Sequence, residues 1–429
     1  MSAAAALLPA GLVAPTYGTD SLAAVLPGAA GALGVDLTTA TGLTSRDCAA
    51  ALGLPAVERV VVVLCDGLGH LNLAERAGHA PFLRGLLPGT RTLTTTFPST
   101  TAAAVSTFGT GTAPGCSGML GYTQRNPATG GLANMVSWTE QPDPYRPVPG
   151  AGALPVPAHE LQREPTVFER LTAAGVAVTS VGPARFAGSG MTLAALRGGA
   201  YVAAESLEDR VDGVVRALRP GGPALVYLYW GDVDKTGHHH GWQSWQWGDE
   251  LEAFDREVAR LVRSVPPGTL VLVTADHGQV EVDRAARLDV AATPALAEGV
   301  ALVGGEPRAL HLYVDGPDGV DGTHGADGTQ RAAGADGRAA AVAERWRDVL
   351  GDGAVVALRE EATAAGWFGP VTDHVLPWVG DVLVAPRERL TVVDSRTQTP
   401  ASLELAGVHG SFTPHEMTVP LVAAVAGKG

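Results

Sequence analysis

The chain has 429 residues, of which 46% are apolar and 17% charged, with a net charge of −14 and a pI near 5.3. That is enough apolar material for one large domain with an insertion, or for two domains. The acidic balance excludes a non-specific nucleic-acid polymer binder, which needs a basic footprint. A small anionic substrate stays open, because bound divalent cations invert the local field.

Cys48, Cys65 and Cys116 are odd in number and lack C-x-x-C spacing, so neither a disulfide framework nor a thiolate zinc site is expected. The first residues carry no Lys or Arg ahead of their apolar part, and Pro9 interrupts it. No run of the roughly 18 residues that a membrane span needs is both uncharged and apolar throughout. A cytoplasmic protein without a membrane partner is the expectation.

Residues 1–50, rich in Gly, Ala and Thr with weak periodicity, are expected to form an N-terminal arm over the core. Arg59 to Asp66 is a continuous β-branched run, the pattern of a strand buried on both faces of a parallel sheet. Small residues over 101–110 are compatible with a tightly packed helix. A helix is expected over Thr166–Ala174, then a strand over Val176–Val181, a helix over Leu207–Leu218 and a strand over Ala224–Tyr229. The apolar spacing of Asp249–Val262 predicts an amphipathic helix, and Thr269–Thr274 another buried strand. This alternation argues for an α/β fold with a doubly wound, mainly parallel sheet flanked by helices.

The pattern changes after residue 280. Strands over Ala309–Val314 and Asp381–Ala385 and a helix over Arg338–Leu350 surround a Gly- and Asp-rich stretch, 316–337, expected to be a flexible loop. Residues 281–400 are therefore taken as an inserted α+β cap. The catalytic core is then 51–280 plus 401–429.

Polar groups follow the apolar runs: Asp66; Asp234 with His238, in the loop expected after Tyr229; Asp276 with His277; and, after the cap, His409. Open α/β sheets place ligands at the carboxyl ends of their strands. Three Asp and three His gathered there would repel and desolvate badly unless cations neutralised them. They divide into two sites of three, and Asp/His donors suit Zn²⁺, with Mn²⁺ as the other option. Two such ions stabilise the attacking and leaving oxygens of a phosphoryl transfer together. A nucleophile is then needed. The hydroxyl-rich run Thr94–Gly111 supplies one at the start of a helix, where anions are favoured.

The segments Val63–Gly67, Phe97–Thr101 through Thr110-Gly111, Asp234–His238 with Gly241, Thr274–Gly278 and His409-Gly410 resemble the alkaline phosphatase superfamily. They are most similar to its type I phosphodiesterase / nucleotide pyrophosphatase branch. The resemblance runs from residue 60 to 412 and leaves the N-terminal segment and most of the cap uncovered. It implies an alkaline-phosphatase-like fold and two divalent ions. It also implies a nucleophile nine residues before a Thr-Gly, which selects Thr101, with Thr100 as the fallback. One ion would take Asp66, Asp276, His277 and the Thr101 oxygen; the other would take Asp234, His238 and His409. Asp232 competes with Asp234, but the Asp-x-x-x-His spacing favours the latter. His239 and His240 fall in variable positions and read as loop residues.

In one respect the chain departs from the family. The Asn that the family uses on a non-bridging phosphate oxygen, twelve residues beyond the Thr-Gly threonine, is Tyr122 here. Tyr122 is thus the candidate substrate-binding residue. The expected function is metal-dependent hydrolysis of a small phosphodiester or nucleotide pyrophosphate through a phosphothreonine intermediate. Monoester hydrolysis, phosphonate hydrolysis and phosphosugar mutase activity are alternatives within the superfamily, the last suggested by Ser411–Met417. A non-catalytic metal-binding protein is the alternative of another class.

Overall fold

The computed structural model describes residues 7–146, 152–314 and 331–427, the side chains of 331–336 excepted. Its centre is a seven-stranded sheet. In chain order the strands are β1 (Arg59–Cys65), β2 (Arg91–Thr94), β3 (Ala177–Gly182), β4 (Ala200–Ala203), β5 (Ala224–Trp230), β6 (Leu270–Thr274) and β7 (Thr418–Val425). They lie in the order β2-β7-β6-β1-β5-β3-β4. The pairs β1–β6, β1–β5, β3–β5 and β3–β4 are parallel, and β7 runs antiparallel to both neighbours. The short strands β2 and β4 carry too little apolar pattern to be foreseen.

The Val60–Val63 run of β1 is completely out of solvent because strands pair on both sides of it and helices flank the sheet. Each such Val or Leu contributes about 1.5–3 kcal/mol relative to exposure. Helix α1 (Thr101–Thr110) is built from Ala, Gly and small polar residues because its neighbours come close. A Cβ on Gly109 would sit 1.8 Å from the Ala195 carbonyl oxygen. Helix α2 (Leu207–Leu218) buries Leu207, Val211, Val214 and Leu218.

Asp232–His240, expected as a loop, is helix α3. Asp232 and Asp234 in its first turn and three His in its last both complement the helix dipole. Gly241, at φ +81°, ends it. His239 and His240 are thus helical rather than loop residues. Helix α4 runs over Trp245–Ser264, longer than expected at its start, because the Ser244 hydroxyl accepts the Trp247 amide as an N-cap.

The N-terminal residues contribute helices Val25–Ala32 and Ser45–Leu52, and Leu22–Leu26 are fully buried in the same core cluster as β1. Residues 123–153 hold a small four-stranded antiparallel sheet, a segment with no strand expectation. A second four-stranded sheet joins Val300–Glu306, Ala309–Val314, Val382–Pro386 and Ala354–Leu358. Helix α5 (Arg331–Leu350) packs on it through Val342, Ala343 and Trp346. Residues 316–330 of the expected loop lie outside the described residues, whereas 331–337 form the first turns of α5.

The outer sheet is tied to the core at Arg308. Its guanidinium forms a bidentate, fully buried pair with Glu416, at 2.6 and 2.8 Å. Such planar fork geometry fixes orientation as well as supplying energy. Phe412 stacks on Phe97 at 4.0 Å between ring centroids, and Trp367 closes on both edgewise. This joins the segment before α1, the returning chain and the outer layer into one cluster.

Candidate metal and phosphate site

Strand register assembles the first half of the site. Leu64 pairs with Thr274, so Asp66 and Asp276, each two residues further on, emerge side by side. Gly67 knits them together. Its amide donates to Asp276 Oδ1 at 3.1 Å, and at φ +72° a Cβ there would lie 2.8 Å from that of Asp234. Only glycine permits that approach. The His277 amide donates to the same Asp276 oxygen at 3.1 Å, and Tyr229 donates its hydroxyl to Asp66 Oδ2 at 2.5 Å.

The other half depends on chain return. Gly407-Val408 pairs antiparallel with Val280-Glu281, immediately after the Asp276-His277 turn. His409 is thereby stacked on His277 at 3.7 Å between centroids. On α3 the one-turn spacing of Asp234 and His238 brings His238 Nε2 to 3.2 Å from Asp234 Oδ2. His409 Nε2 lies 3.9 Å from Asp234 Oδ1. Gln279 donates to Asp234, both to its carboxylate and to its carbonyl.

All six expected ligands are therefore brought together. Asp66, Asp276 and His277 offer atoms within 4.8 Å of one another, and so do Asp234, His277 and His409. His277 belongs to both groups, whereas the sequence pattern put it in one. His238 meets Asp234 while its ring centre is 5.1 Å from that of His409. Asp232 is a partly exposed partner of Lys235 at 3.9 Å, and has no part in the cluster.

The donor chemistry fits divalent cations. Asp66 Oδ1 and Asp276 Oδ2 are buried without a hydrogen-bond partner. Each histidine has Nδ1 beside a backbone carbonyl: Gly407 for His238 at 2.7 Å, Gly278 for His277 at 3.2 Å and Ser99 for His409 at 2.9 Å. With those protons on Nδ1, each Nε2 is the nitrogen that would present a lone pair to a cation, and the carbonyl fixes the ring's orientation.

The electrostatics point the same way. Burial, then the neighbouring charges of Asp276 and Asp234, push the Asp66 carboxyl well above its ordinary range. Burial likewise raises Asp276. Adjacent buried carboxylates must share protons or bind a cation. Burial also acts to raise Asp234, but the His238 charge and hydrogen bond outweigh it and hold the group below the usual range. Reciprocally, burial works against the His238 cation, yet Asp234 raises it to about 9. Burial and the His277 charge push His409 well below its ordinary value.

Thr101 is the first residue of α1, and its hydroxyl is 3.2 Å from His277 Nε2. Thr100 is buried and its side chain faces Glu306 instead. Two cavities flank the cluster. A narrow, mainly apolar one is lined by Thr101, Phe186, Met191, Tyr201 and Tyr229. A cleft of ≈ 560 Å³ opens on the other side at His238 and His409, walled by the small sheet, the outer sheet and residues 392–408. Tyr122 is on the cleft wall with 45% of its surface exposed.

Glu306, in the same wall, escapes the sequence reading. Its Oε2 is 3.9 Å from His409 Nδ1, and burial raises it to about 8 against the Thr100 hydroxyl and the Tyr122 amide. The Gly-Gly-Glu-Pro run at 304–307 gives a turn signal but no chemical one. Tyr229 and Gln279 were also missed. They act through Asp66 and Asp234, and such partners leave no spacing pattern.

A fragment of 125 residues, 28% of the chain, is 34% identical to a phosphopentomutase of Rhizobium meliloti, and it spans 28% of that protein. The fold is similar to that of murine ectonucleotide pyrophosphatase / phosphodiesterase 5, with a TM-score of 0.61 and 15% identity over 85% of this chain and 87% of that one. It is similar too to phosphonoacetate hydrolase from Sinorhizobium meliloti in complex with phosphonoacetate. There the TM-score is 0.62 with 21% identity over 91% and 93%. Residues 60–412 match the model of the type I phosphodiesterase / nucleotide pyrophosphatase family, and the chain belongs to that family.

Proposed function

We propose that this chain is a two-metal phosphoesterase in which Thr101 is the nucleophile. The observation that carries this reading is the Thr101 hydroxyl at a helix start, 3.2 Å from His277 in a buried Asp/His cluster with orphaned carboxylate oxygens. Asp66, Asp276 and His277 would hold one ion, and Asp234, His238 and His409 the other. When bound, such ions lower the pKa of an adjacent hydroxyl or water toward ~7 and offset charge on phosphorus oxygens.

The Thr101 oxygen bonds to phosphorus as the P–O bond to the ester oxygen breaks in line; the Thr101 proton passes to solvent and the departing oxygen takes one from solvent, leaving phosphothreonine. Water then attacks the same phosphorus from the side of His238 and His409, giving up a proton to solvent, as the P–O bond to Thr101 breaks and the Thr101 oxygen is reprotonated. The α1 amides face the phosphate and favour its negative charge. Tyr122 stands at the cleft as a phenolic donor to the substrate.

A diester rather than a monoester is favoured by the two cavities, one on each flank of the cluster, since a diester carries two organic groups. The likeness to an inactive form of the murine phosphodiesterase in complex with AMP and to the phosphonoacetate hydrolase agrees with a small phosphorylated substrate.

The test is hydrolysis of bis(p-nitrophenyl) phosphate and p-nitrophenyl phosphate by the zinc- and manganese-loaded protein, with metal content measured in parallel. Thr101→Ala is expected to lower kcat by at least about 10⁴-fold, as for removal of a nucleophile elsewhere, while metal content is unchanged. Normal turnover by Thr101→Ala would remove the assignment.

A further inference from the structure

The ≈ 560 Å³ cleft has a donor–acceptor character that the phosphoesterase reading leaves unused. Glu306, Asn134, Thr139, Gln141, Thr397 and Gln398 line it. Neither Lys nor Arg is among its described lining residues. Asp394, also on the wall, is neutralised from outside by Arg396 at 2.7 Å. Three acceptor oxygens of this wall, Glu306 Oε1, Gln141 Oε1 and Gln398 Oε1, are buried without any hydrogen-bond donor. Glu306 is 7% exposed, so a carboxyl group with one buried, unsatisfied oxygen lines the cleft next to the cluster that would hold the phosphate.

A buried acceptor left without a donor is unfavourable, and a ligand that supplies one gains what the free protein lacks. The terminal torsions of Glu and Gln are broad, so each carboxylate or amide can turn a lone pair toward the cleft. A carboxylate or second phosphate placed against Glu306, Gln141 and Gln398 would meet their unpaired acceptor oxygens and neither Lys nor Arg. A hydroxyl-bearing, uncharged group would meet acceptors matched to its protons.

We propose that this cleft is the specificity subsite of the enzyme and receives a neutral polyol or sugar substituent of the phosphoester, whose hydroxyls donate to Glu306, Gln141 and Gln398. The assignment rests on the phosphoesterase reading for the placement of the phosphorus, but not for the chemistry of the wall. It distinguishes this chain from an enzyme whose substrate carries a carboxylate beyond the phosphorus, as phosphonoacetate does.

The experiment compares glyceryl, ethyl and 2-carboxyethyl esters of p-nitrophenyl phosphate as substrates of the metal-loaded full-length protein. Calorimetry compares glycerol phosphate with ethyl phosphate as ligands. The glyceryl ester is expected to exceed the ethyl ester in kcat/KM by about tenfold, the upper end of what one net hydrogen bond supplies. The carboxyethyl ester is expected to be slowest. Gln398→Leu should shrink the glyceryl-to-ethyl ratio. Glu306→Gln should shrink the ratio further.

A ratio near one in the wild type, a preference for the carboxyethyl ester, or a ratio that survives both substitutions overturns the proposal. If no ester is hydrolysed but calorimetry still prefers glycerol phosphate, the phosphoesterase reading fails and the cleft assignment stands. Turnover without preference in either assay removes the cleft assignment alone.

Discussion

The two halves of the ligand cluster are made in different ways. Asp66, Asp276 and His277 leave two adjacent parallel strands, and the β1–β6 register alone sets them side by side. Asp234 and His238 come from helix α3, and His409 comes from a chain that has first passed through the outer sheet. The first half is sealed, with Asp66 and Asp276 repelling each other. The second faces the cleft and already contains a compensating Asp–His pair. The first half thus carries an uncompensated carboxylate pair, and the second an internal Asp–His pair.

The largest expected effect breaks this contrast directly. Asp276→Asn removes a carboxylate whose partner Asp66 cannot be satisfied otherwise. It should cost one bound metal equivalent and on the order of 10³-fold or more in kcat, the scale of losing a key electrostatic group. The same substitution should raise the thermal midpoint of the metal-stripped protein, because one buried repulsion is gone. A lowered midpoint in the stripped Asp276→Asn protein would show that the carboxylates do not strain the apo fold.

Next is Tyr229→Phe, which removes the 2.5 Å donor to Asp66, a residue of the first half. A loss of about 10- to 100-fold in affinity for one metal equivalent is expected, with the other unchanged, by competitive chelator titration. Equal weakening of both would merge the two halves.

A smaller effect is the pH dependence of the metal-free protein. The folded-state pKa of Glu306 is raised from its ordinary 4.5 to about 8. The folded state then binds more protons than the unfolded one between those values, so stability falls as pH rises from about 4.5 to 8. Asp66 and Asp276, also raised, act in the same direction. Thermal midpoints in chelator should therefore decline across that window, and Glu306→Gln should flatten the decline. A rising midpoint would contradict the sign.

The smallest effect is that of Tyr122→Phe. The phenol is exposed and offers one neutral hydrogen bond, so kcat/KM should drop by no more than about tenfold. A loss of several hundredfold would place Tyr122 in the chemistry itself.

Several parts of this molecule were legible in the sequence. The β-branched runs of β1, β5 and β6 marked buried parallel strands, and the Asp and His residues at their ends marked the ligand cluster. The spacing of Asp234 and His238 needed only one helical turn, although the helix itself was read as a loop because its Gly and His content masks helical periodicity. The hydroxyl-rich run before the small-residue helix offered several candidates, and the family resemblance selected Thr101; the structure places its hydroxyl beside His277, whereas Thr100 faces Glu306.

By itself, then, the sequence determined the mainly parallel α/β core and the six ligand candidates, since strand burial and metal-donor chemistry act over short spacings, and the family resemblance added a candidate nucleophile. The tertiary structure alone decided that Leu22–Leu26 are core, that His277 stands between both groups, and that Tyr229 and Gln279 support Asp66 and Asp234. It alone put Glu306 on the wall of a cleft. Each of these depends on contacts between residues about 45 to 210 positions apart, and such closure leaves no local pattern for the sequence to carry.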